Sequence, residues 1–237
     1  MSPNRLLSAF VLVFFLPFYL TGCATSDMRQ LGPLVSGVNC DFFQIDEAFV
    51  LAQIRAQQTC CADVSQLPFA ALEQRPPSQT TSPAPTYIIP LDGPVFDFPQ
   101  GKSRFLAFEL PDANRMSQLH VRSAHSGTTG CKRTSPNGFR VFVPIVTFLG
   151  EDKRVIGSGV TGRPGPRDDV SLFTFRIPAG SRFAVIHSPP ETYGQVVSET
   201  PPGPTVYIPV GNVFMPIKTA SLRSVSTATG IVYVWTE

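Results

Sequence analysis

The sequence predicts a mainly β protein, an antiparallel β-sandwich with a short N-terminal helical segment, and three observations carry that prediction. Twenty-four prolines in 237 residues leave few stretches long enough for a helix, because proline removes a backbone donor and clashes with the preceding turn. Beyond residue 86, short runs of period two are bounded by Pro, Gly and Asn, the pattern of half-buried strands joined by turns. One stretch alone, 46–58, reads as a convincing helix: it holds neither Gly nor Pro, and Ala48, Phe49, Ala52, Ile54 and Ala56 give it a rough apolar stripe.

Taken from the start of the chain, Arg5 precedes 15 mostly apolar positions, Leu6 to Leu20, which match the charged start, apolar core and small-residue cleavage site of a secretory signal. A membrane span takes about 20 residues. Pro17 interrupts the run and no basic cluster follows Cys23, so residues 1–22 are expected to be removed. Leu20-Thr21-Gly22-Cys23 resembles the bacterial lipobox, which implies lipidation of Cys23: diacylglycerol on its sulfur and a palmitate-type acyl chain on its new amine. Each buried methylene contributes about 0.8 kcal/mol, so three chains tether the body firmly to a bilayer. Ala24 stands where an Asp would signal inner-membrane retention, and the resemblance therefore implies the periplasmic face of the outer membrane.

Residues 23–39 carry Gly, Ser and Pro and suit a flexible tether. Cysteine use agrees with export. With Cys23 taken by lipid, Cys40, Cys60, Cys61 and Cys131 remain, an even number for an oxidising compartment. A bond between adjacent Cys60 and Cys61 would close a strained ring, so the expectation is that one pairs with Cys40 and the other with Cys131; which is which stays open. The first bridge would clamp residues 40–74 around the helix, closing a loop of about 20 residues for roughly 3 kcal/mol in the chain-entropy account. Asp46 is placed to cap that helix, which should run to Gln58, and a second short turn is expected over Ala62 to Ser65. Four thiolates also suit zinc, but zinc cysteines come in pairs about two to four residues apart, and this spacing does not. No metal or other cofactor is expected.

Residues 75–86 read as a Pro-rich linker and 87–237 as the sandwich. Strands are expected at Val95–Phe98, Ser103–Leu110, Gln118–Arg122, Arg140–Leu149, Arg154–Gly157, Leu172–Ile177, Arg182–His187, Thr205–Pro209, Val213–Ile217 and Ile231–Trp235. Leu106, Phe108 and Leu110 share one face of their strand, as do Phe173, Phe175 and Ile177, so most of the 19 phenylalanines belong to the core. Trp and Tyr, whose polar tips tolerate water, are the better platforms for a sugar. Tyr193, Tyr207 and Trp235 are accordingly weak ligand-binding candidates.

Other motifs carry less. Gly157-Ser158-Gly159-Val160-Thr161-Gly162 spells a dinucleotide loop, but Arg163-Pro164-Gly165-Pro166 cannot open the helix such a loop requires, so an exposed hairpin or loop is expected. There is no Gly-x-Ser-x-Gly elbow, and neither His120 nor His125 has a carboxylate at a telling spacing; with His187 they read as structural or exposed. Asp168-Asp169 lacks the regular acidic ligands of a calcium loop and reads as a solvated turn. No catalytic residue emerges. After removal of 1–22 the chain holds 18 basic against 17 acidic residues, singly scattered, which argues against a nucleic-acid partner.

Cys60-Cys61-Ala62-Asp63-Val64-Ser65-Gln66-Leu67-Pro68-Phe69 resembles the MalM family of maltose-operon periplasmic proteins, whose lipoprotein members carry a Cys-Cys pair shortly before a Leu-Pro. Phe96-Asp97-Phe98, Gly101-Lys102-Ser103 and Phe108-Glu109-Leu110-Pro111 are similar to its opening strands, Val141 to Leu149 to its central strand, and Arg182 to Ser188 to a later one. The resemblance spans roughly Cys60 to Gln195 and implies an accessory protein of maltodextrin-type carbohydrate transport, with a sugar or an outer-membrane transport protein as partner and no active site to carry over. The competing expectation is a structural lipoprotein that scaffolds a cell-wall or membrane complex.

Overall fold

Four consecutive residues, Phe105, Leu106, Ala107 and Phe108, are all buried. Successive side chains of a strand point to opposite faces, so a strand can bury all four only where both faces of its sheet are covered. The computed structural model, which describes residues 46–73, 85–111, 116–123, 139–161, 163–164, 172–200, 205–210, 213–217 and 222–237, accounts for both covers. It is mainly β, as the sequence predicts, with the helical segment lying against the sheets.

The strands are β1 (Ala70–Ala71), β2 (Thr86–Ile89), β3 (Val95–Phe98), β4 (Gly101–Glu109), β5 (Gln118–Ser123), β6 (Phe139–Val141), β7 (Ile145–Leu149) and β8 (Val155–Thr161). They continue with β9 (Arg163–Pro164), β10 (Leu172–Arg176), β11 (Phe183–His187), β12 (Val196–Thr200), β13 (Val206–Val210), β14 (Val213–Ile217), β15 (Leu222–Ser226) and β16 (Gly230–Thr236). A first sheet runs β1-β4-β11-β7-β8, with β3 also on β4; a second runs β2-β16-β5-β10-β9. β12-β15-β6 and the β13-β14 ribbon are smaller. Most pairings are antiparallel, but β1 on β4 and β15 on β6 are parallel.

The interior lies between the two large sheets. Leu106, Phe108, Val146, Phe148, Ala184 and Ile186 of the first meet Tyr87, Leu119, Val121, Phe173, Phe175, Val232 and Val234 of the second in one buried cluster. Both aromatic sets expected from alternation, at 106–110 and 173–177, are in it.

The other face of the first sheet is covered by the N-terminal segment. Phe96, Phe98, Phe105, Ala107, Leu149 and Val185 pack with Leu67, and Cys60, Cys61, Val64 and Phe69 lie against them. Lys153 fastens this cover: its Nζ donates to the Ser65 carbonyl at 3.1 Å and sits 4.8 Å from the Phe69 ring centroid. Helix α1 (Glu47–Ala56) is capped by Asp46, whose carboxylate accepts from the Ala48 N–H at 2.9 Å. Its Val50 and Ile54 pack on Val95 and Ala228, with Leu91 and Tyr193 beside them. Glu47 pairs with Arg140 of β6; burial pushes its carboxyl up, and the Thr227, Arg140 and Ala228 contacts only partly offset that.

Several expectations need correction. The helix stops at Ala56 rather than Gln58: Gln57 turns to extended backbone while its N–H still donates to the Gln53 carbonyl, Lys102 Nζ donates to the Arg55 and Gln57 carbonyls, and the Gln57 side-chain amide donates to the Gly93 carbonyl at 2.9 Å. The second turn is a 3-10 helix at Val64–Gln66, capped by Asp63. Residues 140–149 are two strands in different sheets, separated at 142–144; Pro144 has no N–H for a ladder, and Phe142 drops into the core. Of the hairpin or loop expected at the glycines, residues 157–161 take the hairpin: they continue β8, antiparallel to β7 as far as Thr161. The last linker positions belong to the sheet, since the Pro85 carbonyl accepts from Val234 N–H at 3.1 Å and Thr86 opens β2. Residues 1–45, 74–84, 112–115, 124–138 and 165–171 lie outside the described residues, and with them Cys23, the tether, Cys40, Cys131, His125 and Asp168-Asp169.

Candidate ligand-binding face

Inward-pointing Leu119, Val121, Val232 and Val234 leave Gln118, His120 and Arg122 of β5 and Tyr233 and Trp235 of β16 on the outer face of the second sheet. Register decides which of them meet. Trp235 stands opposite His120, His120 opposite Thr174, and Tyr233 opposite Arg122. The Trp235 and His120 rings stack with centroids 5.0 Å apart and planes 15° from parallel. His120 Nδ1 lies 3.1 Å from Thr174 Oγ1, and the indole N–H of Trp235 donates to Glu237 at 3.3 Å.

The electrostatics of this face are mild. His120 Nε2 is 3.5 Å from Glu237 Oε2, too long for a good hydrogen bond. Burial lowers the His120 pKa and Glu237 only partly offsets it, so the ring is neutral at pH 7 and holds the indole by stacking rather than by charge. Burial raises the Tyr233 hydroxyl, with the Arg122 charge opposing. The result is a half-buried indole and phenol two residues apart on one strand, bordered by an exposed guanidinium, a carboxylate and a hydroxyl.

The three aromatic candidates do not form one site. Trp235 is on this face. Tyr193 is part of the α1 cluster, its hydroxyl 2.9 Å from Ser103 Oγ and donating to the Ser188 carbonyl at 2.8 Å, and burial raises its pKa. It is a structural tyrosine. Tyr207 lies in the β13-β14 ribbon opposite Pro216. Sequence reasoning missed His120, Tyr233 and Arg122 as members of the face; the period-two spacing of Tyr233 and Trp235 was the available signal, but only strand register reveals the cross-strand partners.

The cysteine and histidine expectations fare differently. The Sγ atoms of Cys60 and Cys61 are 2.8 Å apart, well beyond the S–S bond of about 2.05 Å, so the adjacent pair is not bonded to itself. Burial pushes the Cys60 thiol up. With Cys40 and Cys131 outside the described residues, neither expected bridge joins two described cysteines. His187 is fully buried, stacked on Phe98 at 3.8 Å with planes 2° apart, and neither ring nitrogen has a hydrogen-bond partner among the described residues. Burial brings its pKa down to about 3. No family model, curated protein or solved structure matches this chain.

Proposed function

We propose that this chain is a lipid-anchored protein of the periplasmic face of the outer membrane that binds carbohydrate of the maltodextrin type as an accessory to its transport. The observation that carries the binding reading is the Trp235–His120 stack with Tyr233 on the outer face of the second sheet. A pyranose presents an apolar C–H face that an indole or phenol can cover, and hydroxyls that Arg122, Thr174 and Glu237 are placed to bond. The anchor reading rests on Leu20-Thr21-Gly22-Cys23, and the choice of sugar on the resemblance of residues 60–195 to the MalM family.

Binding is favoured over turnover by the surroundings of the one hydroxyl that reaches an imidazole on this face. Thr174, His120 and Glu237 stand in line, but the amides around Thr174 belong to ladders with β5 and β9. An acyl-transfer site needs free N–H groups for its oxyanion. Two measurements test the proposal. Radiolabelled palmitate should enter the wild-type protein in bacterial cells and not a Cys23→Ser variant. Maltotriose and longer maltodextrins should raise the melting temperature saturably, because a ligand that binds the folded state alone stabilises it; a flat response removes the sugar.

A further inference from the structure

β13 and β14 form a ribbon by themselves: they pair with each other from Val206 and Ile217 to Val210 and Val213, and with no other described strand. Residues 201–205 and 218–221 connect the ribbon to β12 and β15, which pair as far as Thr200 and Leu222, so the chain leaves the small sheet and returns to it at neighbouring points. Strand register sorts the ribbon's residues into two faces. Val206, Ile208, Val210, Val213, Met215 and Ile217 share one, and Tyr207, Pro209, Phe214 and Pro216 share the other. Between Glu199 and Lys218 the sequence holds no charged residue. A two-stranded hairpin is marginal in water by itself, and one that is apolar on both faces needs a cover on both.

The backbone restricts what that cover can be. Val210 and Val213 flank the two-residue turn Gly211-Asn212 and so exchange hydrogen bonds with each other; by alternation, the backbone nitrogens of 207, 209, 214 and 216 point away from the partner strand. Pro209 stands on one edge and Pro216 on the other, so each edge loses one of its two outward donors. Edges blunted in this way disfavour sheet extension by a second copy. Each strand has five residues, a rise of about 17 Å, whereas a strand that crosses a bilayer takes about 9–11. We propose that the ribbon seats in the headgroup–acyl boundary of the bilayer that holds the lipid anchor, at a depth of about 5–10 Å. A flat protein surface covers one face of a ribbon, and the acyl boundary takes both. At that depth the remaining outward N–H groups, of Tyr207 and Phe214, stay within reach of interfacial water, which the hydrocarbon interior would deny them. Tyr207, one residue in from the ribbon's base, is of a type that bilayer interfaces favour, and Lys218, the first residue after the ribbon, supplies a cation for anionic headgroups. The inference rests on the lipid-anchor reading for the presence of that bilayer and is independent of the Trp235 face.

The test uses the full chain reconstituted in vesicles of phosphatidylethanolamine and phosphatidylglycerol. With Trp235→Phe removing the natural fluorophore, a Phe214→Trp reporter chain should lose emission when phospholipids brominated on the acyl chain near the headgroup replace ordinary ones, while Trp235 of the wild type should keep its emission. Ile208→Asp added to the reporter chain should restore the emission with the circular dichroism unchanged. In the wild type, a phospholipid carrying a photoactivatable diazirine on its acyl chain should label residues 206–217, a measurement that decides alone if the reporter chain does not fold. Undiminished emission from the folded reporter chain overturns the proposal, as do equal quenching of Trp235 in the wild type, quenching that survives Ile208→Asp, or the absence of label in 206–217. Palmitate incorporation reports on Cys23 alone, so a palmitoylated protein with an unquenched ribbon loses this inference and keeps the anchor, and an unacylated protein with a quenched ribbon does the reverse.

Discussion

The two large sheets differ in what covers their outer faces. β4 of the first sheet buries consecutive residues from Ser103 to Phe108, and β11 buries Ala184 to His187. In the second sheet β10 alternates, Phe173 and Phe175 inward against half-exposed Thr174 and exposed Arg176. The first sheet is a layer inside the molecule, with the segment around Cys60 to Phe69 as its outer wall. The second ends at an outer surface where polar and aromatic side chains mix. The proposed sugar-binding face lies on the second, where Arg122 is exposed and Tyr233 and Trp235 are half-buried on the outer side.

That contrast can be broken by mutation. Phe105→Ala, under the N-terminal cover, should cost about 3–5 kcal/mol in urea unfolding, whereas Arg122→Ala on the open face should stay within about 0.5 kcal/mol. Equal costs would mean that the faces are not differently covered.

Acid should separate the sheets in the same sense. His187 titrates near 6.5 when unfolded and at about 3 when folded. The unfolded chain therefore binds a proton first, and stability falls as pH drops from about 6.5 toward 3, by up to about 1.4 kcal/mol per pH unit. His187→Leu should flatten that part of the profile. His120→Gln should flatten it less, since Glu237 opposes the lowering of the His120 pKa. Urea midpoints between pH 7 and 4 provide the comparison.

The cover itself has a weaker handle. Asp46→Ala removes the side-chain acceptor at the start of α1 and should cost about 1 kcal/mol, with faster hydrogen exchange at 48–50 while the second sheet is unchanged. Exchange rising equally in β16 would show that the helix and the distant sheet open together.

How much of this was legible depended on which physical signal each segment carries. Strands with a buried face, such as 95–98 and 172–176, announced themselves by apolar runs between turn residues. β12 (Val-Val-Ser-Glu-Thr) and β15 (Leu-Arg-Ser-Val-Ser) did not, because they lie in a small sheet with much polar sequence and weak alternation. β2 was hidden by the prolines that precede it. The unbroken burial at 105–108 is visible in the sequence as four apolar residues in a row, but its meaning, a cover on each face, depends on where residues 60–69 return in space. The same holds for the site. Trp235 stood out by type, but His120 and Thr174 joined it only through register.

Trp235 is the only tryptophan in the chain, so its emission reports on the proposed binding face and on nothing else. Titration of the folded protein with maltotriose through maltoheptaose should shift or quench that emission saturably, and Tyr233→Ala should weaken the response about tenfold while leaving urea stability nearly intact. Emission that stays constant to tens of millimolar sugar, in protein whose fold is verified by circular dichroism, would contradict the account.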